Sequence, residues 1–113
     1  MAKYLISFND GDMSFPEEDL PDVARAARAV VEEAKNAGVF VFAGGLGDPS
    51  HATVVAIDGM VTEGPKSTTK DFIGGFTVVD VPTRSAALEW AARIAVACRC
   101  AQEVREFLGA PAR

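Results

Sequence analysis

The chain has 113 residues, 49% of them hydrophobic and 24% charged, which is the profile of one globular domain over residues 1–113 and not of a disordered tail. Eleven basic against sixteen acidic residues leave a net charge of −5 without any Lys/Arg cluster, which argues against nucleic acid as a partner. No apolar run reaches the ~18 residues of a membrane span, so no membrane is expected either.

The first strand is expected over Lys3 to Asn9. An acidic loop follows, with Ser14 and Glu17 at capping-box spacing and Pro21 favouring a short lead-in turn. Apolar residues at helical spacing predict a first helix from Pro21 to Ala37, stopped by Gly38. A strand over Val39 to Ala43 runs into Gly44-Gly45-Leu46-Gly47-Asp48-Pro49. Thr53 to Ile57, Asp58-Gly59 and Met60 to Thr62 read as a hairpin with a two-residue type I′ turn. A polar loop from Glu63 to Asp71 leads to a strand over Ile73 to Val81. Pro82 ends it, and Thr83 caps a second helix over Arg84 to Ala95. That helix should bury Ala87, Leu88, Ala91, Ile94 and Ala95, carry a Glu89–Arg93 pair, and use Trp90 as core filling or at an interface. The last strand is expected over Ala101 to Phe107.

The order β-α-β, hairpin, β-α-β is that of an α+β, ferredoxin-like domain with an antiparallel sheet. Phe40 and Phe42 alternate with Val39 and Val41, and Phe76 and Val78 with Thr77 and Val79, so both sheet faces look apolar. Two helices cover one face. A second copy of the chain would cover the other, which predicts a homodimer through the helix-free sheet face.

Several segments carry residues capable of chemistry. The glycine run lacks the helix that a dinucleotide loop needs behind it, so it reads as a turn, and no cofactor is implied. One His and two Cys cannot complete a tetrahedral zinc site without carboxylates, and no metal is expected. Cys98 and Cys100 stand too close for an unstrained disulfide, and the N-terminus turns acidic at Asp10, too early for a signal peptide. Both features point to the cytoplasm. His51, with Asp48, Asp58 and Glu63 near it in sequence, is a candidate proton-transfer group, as is Glu63 itself. The loop Glu63-Gly64-Pro65-Lys66-Ser67-Thr68-Thr69-Lys70-Asp71 concentrates carboxylates, hydroxyls and two ammonium groups.

Glu63-Gly64-Pro65, Thr69-Lys70-Asp71, Gly74-Gly75-Phe76, Asp80-Val81 and Ala87-Leu88-Glu89-Trp90-Ala91, in that order and spacing, resemble the YCII-related proteins, and more narrowly their DGPF subgroup. Glu63 stands where the DGPF motif has Asp, and Lys66 where it has Phe. The resemblance implies a dimeric, α+β-barrel type of ferredoxin-like fold with mostly unassigned biochemistry. Some relatives use a His–Asp pair whose His follows the first strand. Asn9 to Asp19 holds no His here, so that pair does not carry over to His51.

The expected function is therefore a small-ligand-binding cytoplasmic homodimer, taking a small organic acid through Glu63, Thr69, Lys70, Asp71 and Phe76. One alternative is a lyase or isomerase acting on a small cyclic or aromatic acid, with His51 or Glu63 as base and Lys70 as electrostatic stabiliser. Another is a regulatory interaction module beside a transcription factor.

Overall fold

The structure is a computed structural model that describes residues 1–66 and 71–109. It contains β1 (Ala2–Asn9), α1 (Leu20–Asn36), β2 (Phe40–Gly45), β3 (Thr53–Val55), β4 (Val61–Glu63), β5 (Ile73–Val81), α2 (Arg84–Cys98) and β6 (Glu103–Glu106). Four strands form one open antiparallel sheet in the order β2-β5-β1-β6, while β3 and β4 form a separate two-stranded sheet. This agrees with the ferredoxin-like expectation. Within the chain the sheet is open and closes no barrel.

Alternation along the central strands sets the core. Tyr4 and Ile6 of β1 and Val79 and Val81 of β5 share one face and pack on Ala87, Ala91, Ile94 and Cys98 of α2. Leu88, expected in that stripe, is 40% exposed. The helix runs on to Cys98 beyond the expected Ala95, because Ala97 and Cys98 still find the sheet beneath them. The expected Glu89–Arg93 pair gives way to a bridge between helices, Arg93 Nη1 to Glu33 Oε2 of α1 at 3.0 Å.

Helix ends follow their sequence signals with two exceptions. Thr83 Oγ1 accepts the Ala86 amide at 3.1 Å and caps α2. Gly38, at φ +75°, closes α1 while the Val39 amide reaches back to Ala34 O. Ser14, however, caps nothing. A single 3₁₀ turn, Glu17–Asp19, leads into α1 without any side-chain cap. Asp19, at the N-cap position of α1, instead binds Arg99 Nη1 at 2.7 Å, tying the start of α1 to the end of α2. Arg99 itself ends α2 in the left-handed conformation, φ 58° and ψ 35°, where glycine is the usual choice.

Two expectations about the strands need correction. The hairpin turn has three residues, not two. The Ala56 amide donates to Met60 O and the Gly59 amide to Ala56 O, each at 2.8 Å. Asp58 keeps a negative φ and only Gly59 is left-handed, at φ +88°. Asp58 accepts the Met60 amide at 2.9 Å through Oδ1, which favours this turn over type I′. In β2 the register shifts between Phe40 and Phe42, so Phe40 pairs with Val79 and Phe42 with Val78. Val78 and Val79 face opposite ways. The two phenylalanines therefore lie on opposite faces, not on one.

Candidate functional site

The largest consequence of these packing choices lies between the layers. α1 presents Ala27, Val30 and Ala34 toward the end of the sheet where β2 finishes in Gly44 and Gly45. Small side chains facing glycines leave space, a cavity of about 270 Å³. α2 supplies Trp90, Ile94 and Cys98 to its wall, and the sheet supplies Phe8 and Thr77. Apart from the Thr77 hydroxyl, the Cys98 thiol and the indole N–H of Trp90, the described side chains lining it are apolar. Burial, reinforced by the neighbouring Cys100, pushes the Cys98 thiol above the ordinary thiol range, so it is held protonated and inert. Among the described residues the wall holds no charged side chain to neutralise a carboxylate or a phosphate. The cavity suits an apolar group the size of one ring.

The row of residues at its end is set by two glycines. Phe8 pairs with Gly75, and Gly75 with Gly45, on the helix-facing side of the sheet. A Cβ at Gly45 would meet nothing within 4 Å, whereas one at Gly75 would strike the Phe8 ring. Gly75 is the seat of that ring. Gly45 is open space.

A second, more open cleft of about 410 Å³ surrounds His51. The Leu46 amide donates to Gly74 O at 2.8 Å, bringing the end of the glycine run beside the start of β5. Leu46, Asp48 and His51 form one side of this cleft, and Pro65, Phe72 and Ile73 the other. The end of the glycine run, at Leu46 and Gly47, thus shares one cleft with Pro65 of the polar loop. The Ser50 amide, with a further contribution from His51, holds the Asp48 carboxyl below the usual carboxylate range.

The remaining expected site residues disperse. Glu63 ends β4, exposed, with its carboxylate accepting Thr53 Oγ1 at 3.5 Å, and it does not line the His51 cleft. Asp71 is exposed. Phe76 lies on the helix-free face, its ring 5.8 Å from that of Phe42. Thr69 and Lys70 fall outside the described residues. Trp90 lines the inter-layer cavity, a role its position off the main helical stripe did not reveal. Among the described residues, no three of His, Cys, Asp and Glu come together as metal ligands. No helix among them is long and apolar enough to cross a membrane.

The comparison with known families agrees with this architecture. The YCII-related domain matches residues 2–108, nearly the whole chain. The chain belongs to the YCII-related family. A comparison with curated proteins found no match for this YCII-related chain.

Proposed function

We propose that this YCII-related protein binds a small, predominantly apolar molecule of single-ring size in the cavity between its helices and its sheet. The observation that carries the reading is the cavity wall: about 270 Å³ of space lined mainly by aliphatic, aromatic and glycine residues, with Thr77 and Cys98 but no charged side chain among the described residues. Such a space stays dry and gains by admitting an apolar group. An acid would place its ring inside and its carboxylate outward.

Trp90 is the single tryptophan and stands in the wall, so its fluorescence reports occupancy directly. Titration with single-ring aromatic compounds should quench or shift that emission in the wild type. Gly45→Leu, which fills open space, should abolish the response without unfolding the chain. Binding that survives Gly45→Leu unchanged would overturn the reading.

One observation favours a second reading, an enzyme acting on a small cyclic acid: His51 lines an apolar-walled cleft with Asp48 close by. In that case His51→Gln, and not Gly45→Leu, should remove activity.

We further infer that the protein works as a homodimer of the DGPF subgroup. Leu5, Phe42, Phe76 and Val78 share the helix-free face and support sheet-against-sheet pairing, as the barrel type requires. The unpaired thiols Cys98 and Cys100 support a cytoplasmic site of action. Light scattering tests the dimer.

A further inference from the structure

The chain exposes 7908 Å², about a third more than the ~6,000 Å² expected of a compact monomer of its mass. Its radius of gyration is 16.0 Å where about 13 Å is expected. The excess, roughly 2,000 Å², exceeds the ~800 Å² that each partner buries in a stable interface. Part of it belongs to the β3–β4 hairpin. Among the described residues these strands pair only with each other, and a lone two-stranded hairpin is marginal in water. Yet this one carries Val55, Ile57, Met60 and Val61, all at least 59% exposed, with Ile57 fully so. Val55 and Val61 are cross-strand partners and form one patch. The molecule measures 50 × 43 × 19 Å, and its shortest dimension is about that of one helix layer on one sheet. The hairpin therefore forms no third layer over the sheet.

We propose that the hairpin is an arm that seats on a second copy of this chain, joining the helix-free sheet face in one interface. The inference rests on the homodimer reading and adds the arm to it. Two-fold symmetry lets each copy give its arm and receive the other's, so both exposed patches are buried reciprocally. Charge agrees. The arm carries Asp58 at its tip, while the helix-free face carries Arg105, on the same face as Glu103 but with no carboxylate within 4.0 Å among the described residues. The base of the arm holds His51, so the same contact fixes one wall of the cleft around it.

The test compares dimer dissociation constants by analytical ultracentrifugation for the wild type, Ile57→Asp/Val61→Asp and Phe42→Glu. Circular dichroism checks that each variant folds. In an isolated chain the two arm positions lie in solvent, so their exchange should leave the fold intact. The arm predicts a dimer weakened about tenfold or more by the double variant, as loss of two buried aliphatic side chains entails. A dimer that Phe42→Glu splits but the arm variant leaves at wild-type affinity overturns the arm alone. A wild type that stays monomeric at high micromolar concentration overturns the dimer and the arm together.

Discussion

Phe8 and Gly75 are cross-strand partners, and a Cβ on Gly75 would stand 2.5 Å from Phe8 Cζ. The adjacent Gly74 meets something harder, the Asp10 backbone, at 2.9 Å. A ring tip can rotate aside, whereas a main chain must move as a whole. Gly75→Ala should therefore cost about 1 kcal/mol and Gly74→Ala about 2–3 kcal/mol, by overpacking. Thermal melts of the two variants check the order, and equal costs would contradict it.

The Thr83 cap on α2 gives a second expectation. Thr83→Ala removes the oxygen that accepts the Ala86 amide and should lower stability by about 1 kcal/mol. Thr83→Ser, which keeps that oxygen, should lose much less. Urea unfolding of the pair measures the difference.

Arg99 separates backbone strain from side-chain contact. Its left-handed φ of 58° costs roughly 1 kcal/mol for a residue with a Cβ, and Arg99→Gly relieves that cost. Both Arg99→Gly and Arg99→Ala lose the ion pair with Asp19, which is partly exposed and contributes at most about 1 kcal/mol. The glycine variant should come out near neutral and the alanine variant about 1 kcal/mol less stable. Equal melting temperatures would show that the backbone conformation is not the controlling factor.

The thiols supply a pH-dependent readout. Burial pushes both Cys98 and Cys100 above the ordinary thiol range, with Asp12 adding to Cys100. A raised folded-state value means the thiols contribute stability below the unfolded thiol pKa, and that stability fades as pH rises through the folded one. Reaction with a soluble disulfide reagent should be slow near pH ~8 in the folded protein and fast after unfolding. Cys98, in the cavity wall, should be slowed further by any molecule that occupies the cavity. Prompt labelling of Cys98 in the folded state would contradict its burial.

Much of the fold was legible because it rests on local rules. Gly38, Thr83 and the alternation in β1 and β5 each specify an element within a few residues. The β2 bulge was not legible, because it depends on which of two adjacent valines, Val78 or Val79, each phenylalanine meets across the sheet. The turn after Val55 misled for a related reason: Asp58-Gly59 fits both hairpin loops, and the Asp58–Met60 hydrogen bond decides between them. Candidate-site reasoning followed polar side chains and so favoured Glu63 to Asp71. A cavity made by what Gly45 and Ala34 lack leaves no polar signature in a sequence.

The position of β1 has a consequence for the order of events during synthesis. It lies between β5 and β6, so both of its hydrogen-bonding partners leave the ribosome at least 60 residues after it. Until Ile73–Val81 has emerged, both edges of β1 are unsatisfied, with Tyr4 and Ile6 uncovered. Such long-range pairing slows folding and leaves a sticky strand waiting. A chain stalled before residue 73 should be recognised by chaperones as an aggregation hazard, and the sheet should assemble from its newest strands onto its oldest.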